Sequence, residues 1–124
     1  MIVHLDTSIL IEALDIEPDL FRRPSERGDK LVISTLVLYE WLRRPRSAEQ
    51  IELLEAVFPP ERMVAFDEKV AHLAAQIYRQ VKRARAREVD IAIAACAIEH
   101  GAAMWTLNRK DFEDIPDLSL YAAP

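Results

Sequence analysis

A single cysteine, Cys96, occurs in 124 residues. No internal disulfide can form, and a reducing cytoplasm is the simple expectation. Set among Ala94, Ala95 and Ala97, this thiol reads as a small buried hydrophobe rather than a nucleophile. Glycine is nearly as scarce, with two residues, which excludes both common glycine-rich phosphate cradles. No apolar run reaches the roughly 18 residues that suggest a membrane span, and the N-terminus lacks the basic-then-apolar order of a secretory signal. His4, His72 and His100 are scattered without partners at ligand spacing. That argues against a zinc site and leaves all three as structural residues.

What the chain does have is enough apolar material for one core and too little for two. It is 51% hydrophobic and 30% charged, and a single domain over residues 1–124 is expected. The net charge of −5 argues mildly against a nucleic-acid binder, because phosphate contacts favour a basic face. Two features offset this. A bound metal would cancel part of any acidic cluster, and Arg79, Lys82, Arg83, Arg85 and Arg87 crowd into one short stretch.

Along the chain, strand-like and helix-like segments alternate. Ile2-Val3-His4-Leu5 is a short strand that ends at Asp6-Thr7-Ser8, and an apolar helical pattern from Ile9 to Leu14 follows at once. Leu31-Val32-Ile33 is a second strand, with Ser34 or Thr35 placed to cap a helix from Leu36 to Arg44 that stops before Pro45. Ser47 and Gln50 match a capping box. Met63 to Phe66 is a third strand candidate, and Asp67 caps a helix whose Val70, Leu73, Ala74, Ile77 and Val81 keep the helical period. Val89 to His100 is apolar almost all round and must be covered on most sides, with Gly101 as its C-cap. Ala103 to Leu107 is a fourth strand, Asn108 to Asp114 a loop or short helix, and Leu118 to Tyr121 a terminal strand. Such alternation predicts a parallel sheet with helices on both faces, a three-layer α/β/α fold.

Most of the 21 acidic residues belong on the solvated surface. A few interrupt otherwise apolar segments. Asp6 ends the first strand, Glu40 breaks the helix Leu36 to Leu42, Asp90 enters the most hydrophobic helix, and Asn108 and Asp111 follow the fourth strand. Each has a structural alternative. Asp6 can cap the next helix, Asp90 can complement a helix dipole, Glu40 can pair with Arg43 or Arg44 at helical spacing, and Asp111 can be a loop charge. Taken together they fall on the carboxyl-end side of the sheet, where open α/β folds bind ligands. Several carboxylates meeting there would repel unless a cation compensated them. Hard oxygen donors suit Mg²⁺ or Mn²⁺, and such an ion can activate water for attack on phosphorus. Phosphodiester hydrolysis is the chemistry this pattern points to.

Four blocks carry a resemblance. Leu5-Asp6-Thr7-Ser8, Ser34 to Glu40, Asp90 to Ala95, and Thr106-Leu107-Asn108-Arg109-Lys110-Asp111-Phe112 look, in that order, like the signature blocks of the PIN domain. In size and motif the chain is most similar to VapC-type toxins of toxin–antitoxin pairs. The resemblance implies a Mg²⁺- or Mn²⁺-dependent endoribonuclease with a parallel sheet of about five strands. It carries the family's acids onto Asp6, Glu40 and Asp90, with the fourth position on Asn108 or Asp111. Thr7 and Thr106 match positions near the metal where hydroxyls orient water or an acid. It further implies a homodimer, a structured RNA substrate such as tRNA, and a small antitoxin whose amphipathic segment lies in an apolar groove. Trp41 and Leu20-Phe21 are either that groove's lining or core. Arg83, Arg85 and Arg87 are either RNA contacts or a solvated helix end. The competing readings are a PIN-type RNA-processing nuclease without an antitoxin, a non-catalytic module on the same fold, and a phosphoacceptor receiver-like signalling domain. The last would usually carry adjacent acids after the first strand, where this chain has Thr7-Ser8.

Overall fold

The computed structural model describes residues 1–124. Its strands β1 (Ile2–Leu5), β2 (Lys30–Ser34), β3 (Met63–Val64) and β4 (Ala103–Trp105) form one parallel sheet in the order β3-β2-β1-β4. The register sets Val3 against Leu31 on one side and against Ala103 on the other. Helices α1 (Thr7–Ile11), α2 (Arg22–Glu26), α3 (Thr35–Leu42), α4 (Ala48–Val57), α5 (Glu68–Gln80) and α6 (Glu88–Glu99) connect and cover the strands, giving the three-layer architecture expected. The chain leaves β1 toward β2 and β3 on one side and returns on the other side to add β4. The direction of winding therefore reverses beside β1, and the crevice at its carboxyl end is the topological switch point.

Local chemistry accounts for the helix starts. Ser34, not Thr35, caps α3, its hydroxyl accepting from the Val37 amide at 3.2 Å. Ser47 and Gln50 form the expected reciprocal capping box on α4, and Asp67 caps α5 through the Val70 amide at 3.0 Å. Helix α6 packs against α5, α3 and β4. Ile91, Ile93, Ala94, Ala95, Cys96 and Ala97 are all buried there, and the alanines allow the close approach that an all-round apolar helix needs. Gly101 follows with φ +63°, the left-handed turn that glycine makes at least cost.

Four segments differ from expectation. β3 ends at Val64 rather than Phe66. The fifth strand is reduced to a parallel bridge between Met104 and Leu120. It is held by Met104 N to Ser119 O and Tyr121 N to Met104 O, both 2.8 Å. The first helix is α-helical only to Ile11 and widens to a π-helix over Glu12–Ile16, where Glu17 N reaches Glu12 O at 2.7 Å. β4 stops at Trp105 instead of Leu107 because the Thr106 hydroxyl is drawn to Asp6 at 2.7 Å, turning the chain out of the sheet. The core comprises 28 buried residues drawn from all four strands and from every α-helix except α2.

Candidate active site

The switch-point crevice is a cleft of about 250 Å³ lined by Asp6, Glu40, Asp90 and Asn108, with Thr7 and Ser8 at its floor and Arg43 and Arg44 on its rim. Asp6 is buried. It caps α1 through the Thr7 amide at 2.8 Å and also faces the cleft, so the cap and the site are the same residue. Its second oxygen accepts from Thr106 at 2.7 Å and from Ser8 at 3.0 Å. Those two hydroxyls accept in turn, Thr106 from the Asn108 amide at 3.0 Å and Ser8 from the Leu107 amide at 3.1 Å. The turn after β1 is thereby tied to the loop after β4, which places Asn108 in the cleft. Three of the roughly four lone-pair positions of a carboxylate are filled at Asp6, and Oδ1 retains room for one more partner.

Glu40 reaches the cleft from the middle of α3. Its Oε1 accepts from the Thr7 hydroxyl at 2.5 Å, and Arg43 approaches its other oxygen only to 3.9 Å. The helical pairing allowed by the sequence is therefore loose, and the tighter bond comes from the neighbouring block. Asp90, in the first turn of α6, is half-buried and makes no hydrogen bond or ion pair that offsets its charge. Burial, followed by the charges of Asp6, Asp111 and Glu40, pushes its carboxyl up to about 6, against a smaller opposing pull from Arg87. Asp6 and Glu40 are thus close enough to oppose ionisation of Asp90, as like charges sharing a site do.

Asn108 and Asp111 part company. Asn108 lines the acidic cleft, whereas Asp111 lies in an adjoining cavity of about 440 Å³ with Lys82, Arg83, Arg87, Lys110 and Asp114. Asp90 lines both. Arg87 is not a free RNA contact. Its guanidinium grips Asp114 with two bonds of 2.5 and 2.9 Å and donates to the carbonyls of Lys82 (3.0 Å) and Asp111 (2.7 Å). It clamps the loop of Asn108 and Asp111 to the start of the helix that carries Asp90. Arg85 is exposed and lines neither cavity. Arg83 lines the second.

Trp41 is fully buried and belongs to the core, with the Arg46 guanidinium stacked 4.2 Å from its ring centre. Phe21 packs edge-on against Phe58 and Trp105. The exposed apolar surface lies elsewhere, in a groove of about 490 Å³ that includes Leu38 and Leu42 of α3, Ile51 and Leu54 of α4, Phe58 and Met63. Sequence reasoning did not single out Ser8, Arg43 or Arg44. Ser8 had a signal in the second hydroxyl of Asp6-Thr7-Ser8, but the two arginines had none beyond helical spacing from Glu40.

A family model for the PIN domain matches residues 3–118. The chain belongs to the PIN-domain family. Ribonuclease VapC1 of Methanocaldococcus jannaschii is 30% identical over 120 residues, covering 95% of this PIN chain and 84% of that protein. Ribonuclease VapC19 of Mycobacterium tuberculosis H37Rv is 30% identical over 119 residues, covering 92% and 94%. Among solved structures, VapBC from Salmonella typhimurium bound to DNA superposes with a TM-score of 0.78 at 23% identity, covering 98% of this chain and 97% of that one. VapBC2 from Rickettsia felis, bound to a DNA fragment from their promoter, gives 0.77 at 22% identity with 98% of each chain covered. At that identity the structures speak for the PIN fold alone. The family assignment displaces the receiver-like alternative.

No three His, Cys, Asp or Glu side chains are gathered at direct coordination distance. The donor set still fits Mg²⁺ or Mn²⁺. Every candidate is an oxygen donor, and Mg²⁺ keeps several of its waters and meets only one or two carboxylates directly. Asp90, raised first by burial and then by the charges of Asp6, Asp111 and Glu40, is the group whose charge a cation bound there would favour.

Proposed function

We propose that the protein is a metal-dependent endoribonuclease of the VapC type, the toxin of a toxin–antitoxin pair, acting in the cytoplasm on a structured RNA such as tRNA. The observation that carries this reading is the cleft shared by Asp6, Glu40 and Asp90, in which Asp90 has no ion pair of its own. The identity of the curated relatives as VapC ribonucleases supports it.

Asp6, Glu40 and Asp90 would hold a Mg²⁺ or Mn²⁺ ion, with Asn108 contributing an uncharged oxygen. The chemistry supplied by such an ion is hydrolytic, since it makes water acidic enough to attack phosphorus and offsets charge on the departing oxygen. The chain's own residues do the positioning. Thr106 and Ser8 fix the rotamer of Asp6, Thr7 fixes Glu40, and Arg87 sets the loop of Asn108 against α6. With its carboxyl raised to about 6, Asp90 holds a proton in mildly acidic solution where an ordinary aspartate is ionised. Asp111 acts on this group through its charge, at the border of the cleft. Arg43 and Arg44 on the rim are placed to meet phosphate.

A small antitoxin belongs to the same reading, because solved structures of the same fold are toxin–antitoxin complexes. The apolar groove between α3 and α4 is the surface that an amphipathic segment would cover, and a homodimer is expected. The test is cleavage of a tRNA pool by the purified protein with Mg²⁺ or Mn²⁺, with cleaved ends mapped. Cleavage that stops on chelation and in Asp6→Asn supports the reading. Full activity in chelator, or in a folded Asp6→Asn variant, overturns it.

A further inference from the structure

The second cavity differs from the first in the sign of its free charge. Four cationic residues line it, but only Arg87 is engaged, bound to Asp114 and two carbonyls. Lys82, Arg83 and Lys110 are exposed and make no ion pair or side-chain hydrogen bond. Asp114 is neutralised by Arg87, so the carboxylates left facing these three are Asp111 and the shared Asp90. In a chain with a net charge of −5, this cavity collects three cations that no salt bridge neutralises, and an anion lying among them would be attracted.

The backbone is shaped to keep them there. α5 ends in extended conformation at Val81, and Arg83 adopts a left-handed conformation, φ 53° and ψ 37°, before the 3₁₀ turn Ala84–Arg87. A non-glycine residue in that region persists only where the surroundings enforce it. Here burial of Ala84, the Ala86 N to Arg83 O bond and the Arg87 grip on the Lys82 carbonyl enforce it. The kink sets Lys82 and Arg83 opposite Lys110 of the β4 loop across the cavity. Asp90 stands on the divide between this basin and the acidic cleft, whose far rim carries Arg43 and Arg44.

We propose that the basin formed by Lys82, Arg83 and Lys110 is a phosphate subsite for the substrate strand. It would hold a phosphate next to the scissile one, so that the RNA backbone crosses from the Arg43–Arg44 rim over Asp90 into the basin. This rests on the nuclease reading above. The cations contribute substrate binding and register and take no part in bond cleavage.

The experiment compares the wild type, a Lys82→Ala/Arg83→Ala/Lys110→Ala variant, and a charge-matched control, Arg22→Ala/Arg23→Ala/Lys30→Ala, whose residues are exposed and lie toward the opposite end of the sheet. Cleavage of an RNA stem–loop oligomer with a single-stranded loop is followed at several salt concentrations. Binding of the same oligomer is followed by fluorescence anisotropy in an Asp6→Asn background, where cleavage is silent. The basin variant should raise KM about tenfold or more with kcat within about twofold. It should also flatten the log–log salt dependence of binding by about 2, the loss of three single-strand phosphate contacts. The control should do neither. If the wild type cleaves and the basin variant matches the control in KM and salt slope, the subsite is refuted while the nuclease reading stands. If no cleavage occurs but binding depends on the basin, the nuclease reading fails and the phosphate site survives. Absence of both cleavage and binding refutes both.

Discussion

Two sets of carboxylates sit at opposite ends of one sheet and are treated in opposite ways. At the amino end, Asp29 is buried just before β2 and surrounded by its own compensation. The Tyr121 hydroxyl, the Arg27 guanidinium and the N-terminal ammonium all bond to it, and together they outweigh burial and hold its carboxyl down at about 2. At the carboxyl end, Asp90 has three further acids acting on it, no cation paired to it, and a carboxyl raised to about 6. A carboxylate that serves the fold comes with partners supplied by the chain. One left short of charge, in a cleft where the strand order reverses, is set aside for something the chain does not supply.

The sharpest way to break this comparison is to neutralise one acid at each end. Asp6→Asn or Asp90→Asn should lower RNA cleavage by about a thousandfold or more, as loss of a group acting in the transition state does, with the near-UV circular dichroism unchanged. Asp29→Asn should do the reverse. It should lower the thermal midpoint and leave kcat per folded molecule intact. If Asp29→Asn abolishes turnover in folded protein, or Asp90→Asn spares it, the division of labour is wrong.

Acid titration of stability comes next in size, and two groups oppose each other in one window. His4 is fully buried with both ring nitrogens unpartnered, and burial lowers its pKa to about 4. The unfolded chain takes up this proton first, so stability falls as pH drops from about 6.5 toward 4, by roughly 3 kcal/mol at most. Asp90 works the other way. Its folded pKa is raised, so the metal-free protein loses stability as pH rises from about 4 through 6, by about 1–2 kcal/mol after solvent screening. Chemical denaturation without metal should therefore show a muted pH dependence between 4 and 6.5. Asp90→Asn should expose the full His4 slope, and His4→Leu should leave only the Asp90 slope. A wild-type profile as steep as that of Asp90→Asn would contradict the raised carboxyl.

Arg87→Ala tests the clamp, with an expected loss of about 1 kcal/mol, since it removes the charged donor shared by the exposed Asp111 carbonyl and Asp114. Part of the lost stability, read by chemical denaturation, should return in Arg87→Lys, which restores the charge but not the fork. The smallest effect belongs to Cys96→Ala. Buried, with its thiol pushed up to about 12 chiefly by burial, Cys96 has no chemical role, and its replacement should leave turnover unchanged at a modest cost in midpoint.

What was legible in the sequence was whatever local pattern decides. The caps at Ser34, Ser47 and Asp67 are written within three residues of the amides they bind, and the all-round apolar character of α6 forces it inside. The acids of the cleft were legible because each interrupts an apolar segment at a strand end or helix start. Pairings across distance were not. Arg87 sits in a basic run that reads equally well as an RNA contact. Its true partner, Asp114, is 27 residues away and chosen by how the β4 loop folds back. That Asn108 lies in the cleft and Asp111 beside it follows from the Thr106 hydroxyl, which accepts the Asn108 amide while donating to Asp6, a bond spanning 100 residues. Trp41 reads as a groove residue or as core, and only packing against Arg46 and its neighbours decides for core.

The measurement that bears most directly on the whole account is an anomalous-difference map from crystals of the protein grown or soaked with Mn²⁺. The account predicts a peak in the cleft between Asp6, Glu40 and Asp90, lost in Asp90→Asn crystals. A clean map with no peak there at saturating Mn²⁺, or a peak that persists unchanged without the Asp90 carboxylate, would contradict it.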